Sequence, residues 1–224
     1  MRKASDAAVI RAVVFDLDGV LIESEQLWDQ ARRHVVAVHG DGWPDDGTAA
    51  MQGMSSGEWA QYLHDSLGVE LPTNEITDLV VDDLLARYRE HLPLLPGAVG
   101  AVHRLGARWP LGLASSSNRV VIDTVLRAAG LTTAFAATLS SEEVPRGKPA
   151  PDVYLEIARR LQRPPGDCAA VEDSTNGIRS AVAAGLRVIA VPNHDYPPRK
   201  DSLSEAAVVL DDLNELSVGI VAAL

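Results

Sequence analysis

The chain has 224 residues, 46% of them apolar and 4% aromatic, and a formal charge of -11. That size and composition suit a globular protein with an aliphatic interior, built as one large domain or as a core with a modest insertion. The acidic balance argues against nucleic acid or an anionic membrane as partner, because phosphate-backbone binding needs clustered Lys and Arg. The lone cysteine, Cys168, allows no intrachain disulfide. No stretch approaches the ~18 apolar residues of a membrane span, and the first residues lack the apolar core of a signal peptide. The expectation is a soluble, cytoplasmic protein.

The run Val9 to Phe15 is β-branched and apolar apart from Arg11, which predicts a buried strand of a parallel sheet. It ends in Asp16-Leu17-Asp18-Gly19, two carboxylates one residue apart, where an Asx turn or a site would stand. A loop then runs into a helix with Leu27, Ala31, Val35 and Val38 at helical spacing. The stretch from Gly40 to Gly47 reads as a loop. Ser55 or Ser56 caps a helix over Glu58 to Leu67 that Gly68 closes, and a further helix with Thr73 as N-cap runs to about His91.

From Pro96-Gly97 onward the pattern alternates. Helices are expected at Ala98 to Ala107, Val120 to Ala129, Asp152 to Leu161 and Asn176 to Ala184. Strands are expected at Leu111 to Ala114, Phe135 to Leu139, Cys168 to Val171, Arg187 to Val191 and Ala207 to Leu210. Strands alternating with helices mean βαβ units and a Rossmann-like parallel sheet. The all-helical block between the first and second strands reads as an insertion. The expected division is an α/β core over 1–24 and 95–224 and a small helical-bundle cap over 25–94.

Charged or reactive groups recur at the strand ends: Asp16 and Asp18, Ser115, Lys148 in the loop after the third strand, and Glu172 with Asp173. Each alone has a structural explanation as a helix cap, a turn residue or a solvated lysine. A parallel sheet brings them to one edge, however. Carboxylates converging there raise one another's pKa, and a hard divalent cation, Mg2+ by its preference for oxygen, relieves the repulsion. With the cation in place, Ser115, Lys148 and the backbone N–H groups at Leu17 and Ser116 form a cradle for an anion such as phosphate.

In order along the chain, Asp16-Leu17-Asp18-Gly19-Val20, Ala114-Ser115-Ser116-Ser117, Lys148-Pro149-Ala150-Pro151-Asp152 and Glu172-Asp173-Ser174 resemble the four motifs of the haloacid dehalogenase-like phosphohydrolases. The chain is most similar to the subgroup of β-phosphoglucomutase and small sugar-phosphate phosphatases. The resemblance implies that Asp16 is a nucleophile forming an aspartyl-phosphate and Asp18 the acid and base. It implies phosphoryl binding by Ser115 and Lys148, joined by Leu17, Ser116 and Asn118. It also implies an Mg2+ site of Asp16, Asp18, Glu172 and Asp173. The presence of Asp18 argues against a true dehalogenase.

Where the mutase has a histidine twelve residues past the nucleophile and a cationic clamp in its cap, this chain has Trp28, Gln52 and Ser56. Those three are expected to face the substrate, and hydrolysis of a small phosphorylated metabolite is expected over mutase chemistry. A sugar or polyol monophosphate is the expected substrate, with phosphoglycolate-like compounds possible, and a monomer or weak homodimer the expected state. A sugar phosphomutase and a non-catalytic phosphometabolite sensor are the alternatives. Trp59 reads as cap packing, and the six histidines show no metal-ligand spacing.

Overall fold

The computed structural model describes residues 9–51, 54–193 and 196–224. The first apolar run becomes β1 (Ala12–Phe15), and four helices follow it: α1 (Glu25–His39), α2 (Gly47–Met51), α3 (Ser56–Leu67) and α4 (Thr73–Glu90). The alternating part comprises α5 (Ala98–Gly106), β2 (Leu111–Ser115), α6 (Arg119–Ala128), β3 (Ala137–Ser140), α7 (Asp152–Arg160) and β4 (Cys168–Glu172). It ends with α8 (Thr175–Ala184), β5 (Arg187–Ala190), α9 (Lys200–Leu203), β6 (Val208–Val209) and α10 (Val218–Ala222). The strands form one six-stranded sheet in the order β3-β2-β1-β4-β5-β6, every pairing parallel.

Alternation along the strands divides the core into two layers. Val13 and Phe15 of β1 join a cluster containing Ala101 and Leu105 of α5 and Ile122 and Val125 of α6. Ala12 and Val14 face the opposite layer, with Tyr154 and Ile157 of α7 and Ile178 and Ala181 of α8. The Cys168 thiol is buried there, and burial pushes it up to about 11, so it behaves as a small apolar side chain. This is the expected α/β architecture. The first cluster also continues through Leu21 and Ile22 into α1, α3 and α4. The chain enters and leaves that helical block side by side: Glu23 N–H donates to Pro93 O at 2.8 Å, and Leu95 N–H to Leu21 O at 3.0 Å.

Several expected elements shift, for physical reasons. Val9 is 66% exposed and outside the sheet, because both partners of β1 begin opposite Ala12 or Val13. Phe135 precedes β3 and instead meets Phe15 edge-on at 6.2 Å. On α1, Val38 is 61% exposed, and the buried face is Trp28, Ala31, Arg32, Val35 and Val36. The cap of α4 is Pro72 rather than Thr73, which is the first helical residue. Helices α2, α9 and α10 were not foreseen, being too short to show a period. Among the described residues no helix is long and apolar enough to cross a membrane.

The corrected α1 face and the buried face of α4 give a stability test. Leu84→Ala, fully buried on α4, is expected to cost about 2–5 kcal/mol. Val38→Ala should stay within about 0.5 kcal/mol. Urea denaturation followed by circular dichroism reads both values.

Candidate active site

In this strand order the chain winds outward from β1 through β2 to β3, then crosses back to β4 and winds the other way. The reversal lies between β1 and β4, and a crevice opens beyond the carboxyl ends of strands at such a point. Asp16 is the first residue past β1, Glu172 is the last of β4, and Asp173 follows it. The register Phe15 opposite Val171, extended by Asp16 N–H donating to Val171 O at 3.0 Å, sets these carboxylates side by side. One oxygen from each of Asp16, Glu172 and Asp173 lies within 4.8 Å of the others, and all three residues are buried.

A single ammonium enters this cluster. Lys148, its side chain 4% exposed, puts Nζ 2.6 Å from Glu172 Oε1 and 2.9 Å from Asp16 Oδ1. The Asp16 contact is out of line for a hydrogen bond. Glu172 is saturated from within: Oε1 accepts from Lys148 Nζ and from the Tyr154 hydroxyl at 2.6 Å, and Oε2 from Asp173 N, Ser174 N and Ser174 Oγ. Ser174 Oγ also caps α8 by accepting from Gly177 N–H at 3.1 Å.

Asp18 turns away from the cluster. Its Oδ2 accepts from Ser117 Oγ at 2.6 Å and Ser115 Oγ at 3.3 Å, and its Oδ1 from Trp28 Nε1 at 3.3 Å and from Ser24 Oγ. The last residue of β2, Ser115, with Ser117 just past it, and Ser24 and Trp28 at the entry to α1 thus grip the same carboxylate.

Burial and crowding unsettle the acids. The Asp16 carboxyl is pushed up to about 8, first by burial and then by Glu172, with Asp18 adding and Lys148 opposing. Asp173 is driven well above the usual carboxylate range by burial, Glu172 and Asp16. Burial alone would lower the Lys148 ammonium, but Asp16 and Glu172 reverse this and raise it. Asp173 Oδ1 is buried and finds no hydrogen-bond partner among the described residues. A close, all-oxygen, over-charged set with an orphaned oxygen fits a hard divalent cation.

A cavity of about 430 Å³ stands over the cluster, with Asp16, Asp18, Lys148, Asp173 and Ser116 on the sheet side. Trp28, Ser56, Trp59 and Arg32 line it from the helices. Trp59 therefore does both things: it packs on Trp28, ring centres 6.1 Å apart, and faces the cavity. Leu17, Ser115, Asn118 and Glu172 are buried and do not line it. Asn118 joins the two sides, accepting from Ser56 Oγ at 3.0 Å and donating to Glu142 Oε1 at 2.5 Å. Gln52 and His194 lie outside the described residues, and the other five histidines are exposed.

Four participants escaped the reading of the sequence. Ser117 enters that reading only within the Ala114-Ser115-Ser116-Ser117 motif, and Ser24 is not singled out in it. Tyr154 carried no signal. Arg32 stands one helical turn after Trp28, a spacing that shares a face, but arginine at helical spacing reads as solvated surface.

Fold and cavity define the class: a doubly wound α/β enzyme with its working carboxylates at the switch point. A family model described as haloacid dehalogenase-like hydrolase matches residues 10–185, and the chain belongs to that family. Hexitol phosphatase B of Escherichia coli K12 is 36% identical over 195 residues, covering 82% of this chain and 84% of that protein. The bifunctional riboflavin kinase/FMN phosphatase of Arabidopsis thaliana is 30% identical over 206 residues, 91% of this chain; the chain spans only 54% of that larger protein. Among solved structures, CbbY from Rhodobacter sphaeroides in complex with phosphate superposes with a TM-score of 0.85 at 28% identity, covering 96% of this chain and 100% of that one. The chain is an enzyme of this family, a phosphohydrolase.

Close packing under the acids gives a test. A methyl at Gly177 would lie 1.9 Å from Glu172 Oε2, whereas one at Gly166 meets nothing within 4 Å. Gly177→Ala is expected to cost about 1–3 kcal/mol as Glu172 is displaced from its donors. Gly166→Ala should be neutral or slightly stabilising. Paired urea titrations measure the difference.

Proposed function

We propose that the chain is a Mg2+-dependent phosphatase that hydrolyses a small sugar or polyol monophosphate through an aspartyl-phosphate at Asp16. The observation that carries this reading is the placing of Asp16 on the cavity wall, 2.9 Å from a buried lysine and beside the under-satisfied Asp173. Asp16 attacks phosphorus, and the ester oxygen departs with the proton held by Asp18. Asp18 then takes a proton from the water that attacks the aspartyl-phosphate, which frees inorganic phosphate and restores Asp16. Its four donors keep both carboxylate oxygens aimed during these transfers.

Lys148 offsets charge on the phosphoryl group, and Glu172 with Tyr154 holds the lysine in place. The Leu17 and Ser116 amides complete the phosphate-binding set of this reading, with Asn118, expected there too, instead bonded to Ser56 and Glu142. Asp16, Asp173 and the Asp18 carbonyl, with Glu172 bordering them, would hold Mg2+, which supplies charge neutralisation to the transferring group. Neutral Trp28 and Ser56 on the helical side support hydrolysis rather than retention of a bisphosphate. Arg32, a cation on that side, faces Glu25 at 3.5 Å, so a second phosphate would meet a carboxylate there as well.

With Mg2+, the protein is expected to release phosphate from p-nitrophenyl phosphate. Asp16→Asn should lower the rate by at least about 10³-fold, and a chelator should abolish it until Mg2+ is returned. Turnover that persists in Asp16→Asn or in chelator sinks the mechanism.

In the same reading, residues 25–94 form a cap over a core of 1–24 and 95–224, hinged at the paired strands near Ile22 and Leu94. Closure would exclude water while the phosphoryl group moves. Small-angle scattering should show a smaller radius of gyration when magnesium trifluoride is added to the Mg2+-loaded protein. Unchanged dimensions count against the hinge.

A further inference from the structure

The cavity has a helical side whose chemistry the transfer mechanism does not use. Arg32 is only 4% exposed, on the buried face of α1, and it lines the cavity together with Glu25. Its Nη2 stands 3.5 Å from Glu25 Oε1, and among the described residues neither Nη2 nor Nε completes a hydrogen bond. An ion pair kept for stability would close to a short, bidentate contact, because burying a guanidinium with unspent N–H groups is costly. This pair stands at 3.5 Å, and Nε and Nη2 on one edge of the fork are buried with their hydrogens unspent.

Position along α1 places the pair relative to the chemistry. Trp28 Nε1 reaches Asp18 at 3.3 Å, and Arg32, one turn later on the same face, sends its guanidinium back towards Glu25, which precedes Trp28 on the helix. The Arg32–Glu25 contact therefore stands beside Trp28 on the wall of the cavity that Asp16 and Asp18 also line, where the leaving group of a bound ester would extend. The surroundings decide what that leaving group carries. Burial raises the Glu25 carboxyl, and Asp18, Asp29 and Glu23 all add to the effect against Arg32. A terminal carboxylate or second phosphate would join this negative field. A hydroxyl accepts from the guanidinium and donates to the carboxylate at once, and adds no charge.

We infer that Arg32 and Glu25 together read hydroxyl groups on a neutral, polyhydroxylated leaving group, making the enzyme selective for polyol phosphates over phosphate esters that are anionic or bare at the far end. This rests on the phosphatase reading above and assigns its specificity to two named residues on the helical side.

The test compares kcat/KM for sorbitol 6-phosphate, n-hexyl phosphate and 6-phosphogluconate in the Mg2+-loaded protein, its Arg32→Gln and Glu25→Gln variants, and Arg32→Lys. The wild-type protein should prefer sorbitol 6-phosphate to n-hexyl phosphate by at least tenfold. Each glutamine variant should collapse that ratio, mainly through KM, while Arg32→Lys retains part of it. Two variants on opposite members of the pair, each checked for an unchanged melting temperature, separate recognition from misfolding.

An unaltered ratio in folded variants overturns the inference. So does a wild-type preference for 6-phosphogluconate that Arg32→Gln removes, which would make Arg32 an anion receptor. Loss of turnover on every ester would refute the phosphatase reading instead. Calorimetric titration of sorbitol 6-phosphate into Asp16→Asn and into Asp16→Asn/Arg32→Gln then judges the pair by itself: weaker binding in the double variant supports it, and equal binding overturns it.

Discussion

Three acids buried against one another with one lysine between them are the constraint under which the rest of the molecule is built. At an effective dielectric near 20, two unit charges 4 Å apart repel by about 4 kcal/mol, and here the crowding involves Asp16, Glu172 and Asp173 together. Folding tolerates the arrangement because Glu172 is wrapped in donors: Lys148, the Tyr154 hydroxyl, two backbone N–H groups and the Ser174 hydroxyl. Space around the acids is regulated as tightly. Gly19, at φ 74°, approaches Asp173 so closely that an added Cβ would fall 1.9 Å from Oδ2. A side chain there would be excluded by the turn and by the carboxylate alike. Burial and crowding make Asp16 and Asp173 hold protons more tightly, and a divalent cation displacing those protons would make the place a receptor for anions.

The sheet explains why such distant residues meet. Asp16 and Glu172 come from β1 and β4, neighbours in space though separated by more than half the chain, and the parallel register puts both at the same edge. That much was legible, since alternating strand and helix patterns imply a parallel sheet and strand-end carboxylates imply its carboxyl edge. Lys148 was legible by the same logic, although its burial was not. The sequence contains no sign that a tyrosine five residues beyond Pro149 would share Glu172 with it, because the contact depends on how α7 lies across the sheet.

Errors in the reading cluster where tertiary contact overrides local pattern. Val38 fits the helical spacing of Leu27, Ala31 and Val35, yet it points outward while Val36 and Arg32 turn in. A period of 3.6 residues fixes a stripe only to within a residue or so, and the partner helix settles the rest. Here α1 packs on α4. Shorter elements such as α2 and α10 lack enough residues for any stripe to appear. The strand over Val9 to Arg11 failed for a different reason: an apolar run becomes a strand only where a neighbour is present to pair with it, and β2 and β4 begin further on.

Asp18 shows how the two parts of the chain are made to depend on each other. Its carboxylate is held by Ser115 and Ser117 from the sheet side and by Ser24 and Trp28 from the entry to the helices. A movement of α1 relative to the sheet must therefore break or retain bonds to the one residue in this reading that moves protons. Coupling of that kind makes the acid competent only when the helical side is seated, a gate that requires no separate element. It also separates two selections made on the same substrate. The phosphoryl end is judged by fixed groups at the sheet edge, where charge dominates. On the inference drawn above, the leaving group is judged by α1, where Glu25, Trp28 and Arg32 follow one another along one helix. In this reading, substitutions at Arg32 and Glu25 leave the donors of Asp16, Glu172 and Asp173 in place, since among the described residues none of those acids takes a hydrogen bond from α1, whereas Trp28 is tied to Asp18.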